Sequence, residues 1–318
     1  MSILVVGSLA YDDVHTPTEH RAEVLGGAAS YFAVAAARYA PVRLVGVIGD
    51  DFAESDVRRI AAAGVDLHGL ERRPGRSFRW LGRYDDSFGA AETLNTDLGV
   101  FGDWRPVVPA AYRDSEYVFL ANIDPEIQLA VRDQLPDARF VALDSMNYWI
   151  TTKRDALLRA IARVDLVCLN EAEIRQLWGR PDIAAGAREL LALGPRAVVV
   201  KRAEHGATLY TPEGLFWCPA YPVQRVVDPT GAGDTFAGGL VGELARAAAT
   251  GGTALRRALV QGAVSASFAV ESFSIDRLAA ATEAEAAARC AALAHLVSVE
   301  GGEPAGSVST GTATPPRL

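Results

Sequence analysis

Short runs of β-branched residues recur along this chain, and most are followed by an alanine- and leucine-rich segment. The runs are Ile3–Val6, Val42–Ile48, Tyr117–Ala121, Phe140–Leu143, Leu166–Leu169, Ala197–Val200 and Ala207–Tyr210. The segments between them have helical spacing, among them Ala28–Tyr39, Ser55–Ala63, Pro125–Gln134, Lys153–Arg163 and Ala184–Leu193. Strand then helix, repeated, predicts parallel strands joined by right-handed crossovers, with helices on both faces of one sheet. With 318 residues, half of them apolar, the chain can fill the two-sided core that such a sheet needs.

Two stretches break the rhythm. Residues 12–25 are polar and lie before the Gly26-Gly27 pair, and residues 76–98 carry aromatics and alternation in place of helical spacing. Both read as short strands outside the main sheet, forming a small β flap over one end of it. Ligand sites in open α/β sheets lie beyond the carboxyl ends of the strands, so a flap there is a lid. The alanine-rich stretch 279–298 reads as a helix. The tail 301–318 has almost no large apolar residue and is expected to be flexible.

A formal net charge of -8 argues against a nucleic-acid binder, whose footprint is a basic stripe. Cys168, Cys218 and Cys290 lie far apart and read as free thiols of a reducing cytosol. The first residues lack the basic and long apolar regions of a signal peptide, and no apolar run approaches about 18 residues. The expectation is a cytoplasmic protein with no membrane partner.

The stretch that carries chemistry is Val226-Val227-Asp228-Pro229-Thr230-Gly231-Ala232-Gly233-Asp234-Thr235-Phe236. An apolar strand leads into a turn, and a helical stretch, Phe236–Ala248, follows. Gly231 and Gly233 let the backbone approach a ligand closely. A helix start leaves N–H groups unpaired and carries about half a positive charge, which together suit the oxygens of a phosphoryl group. Asp234 falls in or beside the first helical turn. The helix end favours its ionised form, and a carboxylate there can accept the proton of an attacking hydroxyl. A simple helix-capping aspartate is the other reading of that residue.

Asp228–Gly239 resembles the second signature of the ribokinase-like (PfkB) family of carbohydrate and nucleoside kinases, and other landmarks follow that family's order to about residue 278. They are Gly7-Ser8, Asp12, Gly26-Gly27, the Gly49-Asp50-Asp51 turn and Asn170-Glu171-Ala172-Glu173. The resemblance implies a three-layer α/β/α sandwich with a mostly parallel central sheet and a small β lid. The core would span 1–11, 26–75 and 99–300, and the lid 12–25 and 76–98. It implies an ATP- and Mg²⁺-dependent kinase in which the N–H groups of Gly231, Ala232 and Gly233 form an anion hole and Asp234 is the base. Asn170 and Glu173 would organise Mg²⁺, although an Asn and a Glu at that spacing also form a helix cap. Many members bind a monovalent cation such as K⁺ near Asp228 and Thr230. Lys201 and Arg202, at a strand end, are candidates for nucleotide phosphates, since the chain has no Walker A loop. Ser267, on the apolar helix Ala258–Val270, would line the adenine side.

Substrate positions by resemblance are Asp12, Gly26 and Gly27, although the Asp12-Asp13 doublet permits a one-place slip. Two departures stand out. Where ribokinase-type members carry an Asn that reads sugar hydroxyls, this chain has Tyr31, or Ser30 if the register slips. Asp144-Ser145-Met146-Asn147 replaces a common Asp-x-Asn-x-Arg, making Asn147 a further candidate. Phe78, Trp80, Tyr84 and Phe88 add aromatic surface to the lid, suiting a sugar face or a nucleobase. The expected activity is phosphorylation of a sugar or sugar-like alcohol, with a nucleoside kinase second and a catalytically silent sugar or nucleotide sensor third. The lid is also a candidate surface for a homodimer. No Gly-x-Ser-x-Gly elbow or Gly-x-Gly-x-x-Gly fingerprint points to a hydrolase or dehydrogenase.

Overall fold

The computed structural model of the protein describes residues 1–86, 88–89 and 91–298, so the segment 301–318 lies outside the described residues. In chain order the strands are β1 (Ile3–Val6), β2 (Ala10–His15), β3 (His20–Gly26), β4 (Val42–Ile48), β5 (Val65–Arg72), β6 (Phe78–Arg83) and β7 (Glu92–Asp97). They continue with β8 (Tyr117–Leu120), β9 (Phe140–Asp144), β10 (Leu166–Asn170), β11 (Ala197–Lys201), β12 (Ala207–Thr211) and β13 (Gly214–Cys218). The helices are α1 (Ala28–Ala36), α2 (Glu54–Ala62), α3 (Pro125–Asp133), α4 (Asn147–Thr152), α5 (Arg154–Ile161) and α6 (Glu171–Trp178). After them come α7 (Ile183–Ala192), α8 (Ala232–Ala247), α9 (Gly252–Ala269), α10 (Asp276–Ala280) and α11 (Glu283–Val297).

Nine strands form the central sheet, in the order β13-β12-β11-β10-β9-β8-β1-β4-β5. The run from β11 to β5 is parallel, and β12 and β13 turn back antiparallel at one edge. β1 sits inside the sheet with all four side chains excluded from solvent. Ile3 and Val5 enter one core with Phe32 of α1, Leu240 of α8 and Leu259 of α9. Leu4 and Val6 enter the other with Ile127 of α3, Leu157 of α5 and Leu190 of α7. Each such aliphatic side chain contributes about 1.5–3 kcal/mol on burial, which is why a two-sided strand is written as an unbroken apolar run.

The seven strands expected for the main sheet are present within a residue or so and two further ones appear, but the apolar strand expected before Asp228 is absent, residues 219–231 being irregular. β5 reads Val-Asp-Leu-His-Gly-Leu-Glu-Arg and is half exposed, so its polar positions hide it; it is the edge of the sheet. β13 is the other edge, with Leu215 and Trp217 exposed.

The two stretches that break the strand–helix rhythm build a second sheet, in the order β3-β2-β6-β7. β2 and β3 form a hairpin, β6 and β7 pair antiparallel, and β2 pairs with β6 in parallel. This sheet touches the central body at several points. The Asp51 carboxylate accepts from the Ser77 amide at 2.7 Å and from Arg79 at 2.9 Å. Tyr11 stacks on Phe52 and donates to Asp56.

Candidate active site

Among the described residues, five of the eleven helix starts are closed by side chains. Asp124 caps α3, Asp182 caps α7, and Asn170 and Thr282 open α6 and α11 with full capping boxes. Ser8 serves α1, its Oγ accepting from the Ala28 amide and its carbonyl from the Ala29 amide. α8 is different. Gly231 precedes it in the left-handed conformation (φ 74°) with no side-chain cap. Among the described residues the N–H groups of Gly231 and Gly233 make no backbone hydrogen bond, whereas that of Ala232 donates to the Pro229 carbonyl at 3.1 Å. The expected anion hole therefore has two open donors, since Ala232 is used in closing the turn.

The glycines are required for different reasons. A Cβ on Gly231 would fall 2.3 Å from the Tyr31 ring, in addition to the strain of its backbone angle. A Cβ on Gly233 would stand 3.2 Å from Lys201 Nζ. Tyr31 is thus buried directly behind the turn, its hydroxyl without a partner. Lys201 reaches the turn from the end of β11.

Lys201 Nζ also donates to Asp144 at the end of β9, at 2.5 Å. This buried pair sits among further carboxyls. The Asp234 carboxyl, in the first turn of α8, is pushed up to about 7 by burial and by the nearby charge of Asp144, with Lys201 opposing. Burial also drives Glu173 up to about 8, again against Lys201. Asp12 rises to about 8 through burial and the charges of Asp228 and Asp234. The helix terminus was expected to keep Asp234 ionised; desolvation outweighs it in the ligand-free protein.

The remaining expected positions divide into two sets. Asp12 is buried with its carboxylate over Gly26, where a Cβ would fall 1.9 Å from Oδ2, and Gly27 (φ 92°) turns the chain into α1 against Ser8. Asp13, the other half of the doublet, points the opposite way. Thr230 donates its amide to Asp228 and meets the Tyr84 hydroxyl at 3.1 Å, so the second sheet contacts the turn. Trp80 is the register partner of Asp12 on the adjacent strand, which puts both on the same face of that sheet. Asn170 and Glu173 form the capping box, each side chain accepting from the other's amide.

Three candidates lie apart from this cluster. Asn147 is exposed at the start of α4, and it is Asp144, three residues earlier, that enters the cluster. Arg202 is held by Glu171 at 2.6 Å. The Ser267 hydroxyl donates to the Val264 carbonyl and accepts from Arg289, an arginine that lies over Phe268 and pairs with Glu271. That network fastens α11 to α9. Sequence reasoning missed two residues: Asp144, signalled by an acid closing an otherwise apolar strand, and Asn122, just past β8, whose Oδ1 is buried without a partner.

An anion-receptive turn with a carboxyl beside it, at the carboxyl end of a parallel sheet, is the equipment of enzymes that move a phosphoryl group onto an alcohol. Membership is now specific: the chain belongs to the pfkB family of carbohydrate kinases, whose model matches residues 2–280. It is 30% identical over 253 residues to a cytidine kinase of Thermococcus kodakarensis, covering 77% of this chain and 89% of that one. A Burkholderia thailandensis nucleoside kinase solved with inosine superposes with a TM-score of 0.73 at 22% identity, covering 92% of this chain and 98% of that one. The aminoimidazole riboside kinase of Salmonella enterica, solved with aminoimidazole riboside and an ATP analogue, also gives 0.73, at 23% identity and 91% and 100% coverage. These likenesses show the ribokinase-like fold. The protein is a carbohydrate or nucleoside kinase, a phosphotransferase with an alcohol acceptor, and its family implies the use of ATP. Among the described residues no helix is long and apolar enough to cross a membrane.

The raised carboxyls make stability depend on pH. Asp12, Asp234 and Glu173 hold protons when folded that the unfolded chain, with values of 3.8 and 4.5, releases. Their contribution is complete below those unfolded values and is lost as pH rises through about 7 and 8. The melting temperature of the ligand-free protein is expected to fall between about pH 5 and pH 9, and Asp12→Asn to flatten that fall. Differential scanning fluorimetry across that range checks it, and a rising melting temperature would contradict it.

Proposed function

We propose that this enzyme transfers the γ-phosphoryl group of ATP to a ribose hydroxyl of a nucleoside or closely similar riboside. The observation that carries this reading is the placement of Trp80 beside Asp12, on one face of the lid and in register. Asp12 offers a buried carboxylate for ribose hydroxyls, and the Trp80 indole, lying over Gly82 and anchored through Nε1 to Thr93, offers a flat surface for a base. The reading draws support from the cytidine kinase relative and from the ribosides bound to two structural neighbours. A simple sugar was the first expectation from sequence; these points move the nucleoside ahead of it.

In this reading the acceptor hydroxyl lies between Asp12 and Asp234. Asp234 takes its proton as the oxygen attacks, and a carboxyl poised near 7 matches that task at neutral pH. The open amides of Gly231 and Gly233, the positive end of α8 and the Lys201 ammonium receive the charge of the transferring group. Asp144 positions Lys201. The lid keeps water from the reaction, with Tyr84 joined to Thr230 as its closing contact.

Mg²⁺ bound with the nucleotide would neutralise phosphate charge. The donor set fits a hard cation: the charge of Asp144 raises both Glu173 and Asp234, and Lys201 opposes it at each. Glu173, with Asn170, would face it. A monovalent cation fits at Asp228, which is fully buried with Oδ2 unpartnered beside the Thr230 turn.

Three variants test these roles. Asp234→Asn is expected to lower kcat by at least about 100-fold while leaving ATP binding nearly intact; near-normal turnover by the folded variant would remove the base assignment. Glu173→Gln preserves the capping box, since Gln also serves at that position. It should raise the Mg²⁺ concentration needed for activity, and an unchanged profile would leave Glu173 with the cap alone. Trp80→Ala should raise KM for a nucleoside acceptor by about 5- to 150-fold, the equivalent of about 1–3 kcal/mol of buried apolar surface, with little change for ATP. An ADP-release assay across nucleosides and free sugars reads both the variant and the substrate class; preference of the wild type for a free sugar would overturn the nucleoside reading.

A further inference from the structure

We propose that Asp13, His15 and His20 form a binding site for a transition-metal ion of the zinc class on the outer face of the lid. Asp13 and His15 are two apart on β2 and share a face, opposite to that of Asp12. His20 is the direct cross-strand partner of His15 on β3. The two imidazoles stack at 3.9 Å with their planes 7° apart. Both Nε2 atoms converge on Asp13 Oδ1, at 2.5 Å from His20 and 3.7 Å from His15. One ligand atom from each of the three residues lies within 4.8 Å of the others.

That spacing is close to what a metal demands. Ligands placed about 2.0–2.1 Å from a tetrahedral zinc stand about 3.3 Å apart, between the two distances observed. The stacked rings must rotate about their side-chain torsions to turn both Nε2 lone pairs onto one ion, on positions that the backbone already fixes. The hairpin turn is locked by the Thr16 amide on the Glu19 carbonyl at 2.8 Å and by the Thr16 hydroxyl, so His15 and His20 cannot slip in register. Two imidazoles and a carboxylate are a borderline nitrogen–oxygen set, suited to zinc, cobalt or nickel and poor for magnesium, which prefers all-oxygen coordination. Arg83 neighbours His15 on β6, and its charge is engaged by Glu92 at 2.6 Å. A fourth position faces solvent and is open to water.

The bound ion would clamp the tip of the β2–β3 hairpin one residue from Asp12, making the lid stiffer without entering the site.

The test uses the full, tag-free chain stripped with a chelator. Zn²⁺ is titrated by calorimetry at about pH 7.5 with Mg²⁺ in excess, and Co²⁺ by its visible absorption. One Zn²⁺ per chain, a tetrahedral-type Co²⁺ spectrum and a raised melting temperature are expected. His20→Ala and Asp13→Asn should weaken Zn²⁺ binding on the order of 100-fold, whereas His205→Ala, an exposed histidine beside Glu204, should leave it unchanged. Melting curves confirm that each variant is folded, with His15→Gln replacing any that is not. No stoichiometric binding, displacement by Mg²⁺, or equal affinity in the His20→Ala protein would overturn the site.

Discussion

A single half-buried ammonium holds together a crowded field of acids at the carboxyl end of the central sheet. Lys201 is salt-bridged to Asp144 and lies within electrostatic reach of Glu173 and Asp234, with Asp12 and Asp228 a further step away. Burying an ion pair is expensive unless its geometry and its neighbours repay the lost hydration. Here the surplus is negative, so the ligand-free site relieves itself by holding protons on several carboxyls. On the proposed function, the same surplus would make the site receptive to cations and to a nucleotide that arrives with its own. The removal of either Lys201 or Asp144 would leave its partner charged and buried, so the two residues constrain each other whatever the acceptor is.

Around that pair, the structure is arranged to leave a few backbone donors unsatisfied. Helices α3, α6, α7 and α11 have their first turns closed by side chains, and α1 by Ser8. α8 instead begins from Gly231 in a left-handed turn backed by the Tyr31 ring, with the Gly231 and Gly233 amides open. The position at which ribokinase-type relatives were expected to read a sugar therefore serves here as a wall. That gives the missing asparagine a physical meaning, since the side chain in its place packs against the Gly231 turn.

Much of this was readable in the sequence because the parallel core writes itself as apolar runs. The strand positions, the rhythm-breaking lid segments and the order of the glycine turn and Asp234 all follow from residue pattern. What was not readable depends on depth or on partners distant in the chain. β5 escaped because an edge strand mixes polar and apolar residues. Asp144 stands in the sequence as one member of a loop pattern, and its partner Lys201 comes from another strand. The raised carboxyl of Asp234 is not legible in the sequence, because the helix end is visible there and desolvation is not. Ser267 and Arg202 were plausible contacts by position, and the structure gives each a different side-chain partner, Arg289 and Glu171.

The parallel pairing of β2 with β6 dictates an order of assembly. Ala10 sits opposite Phe78, so α1, β4, α2 and β5 all lie inside the loop that this contact closes. The chain-closure entropy is smaller once those elements have docked on the central sheet, which places the lid late in folding. An element completed last is in general among the first to open locally. If the second sheet covers the site as proposed, this connectivity lets it open and re-form as a unit while the two-sided core beneath stays intact.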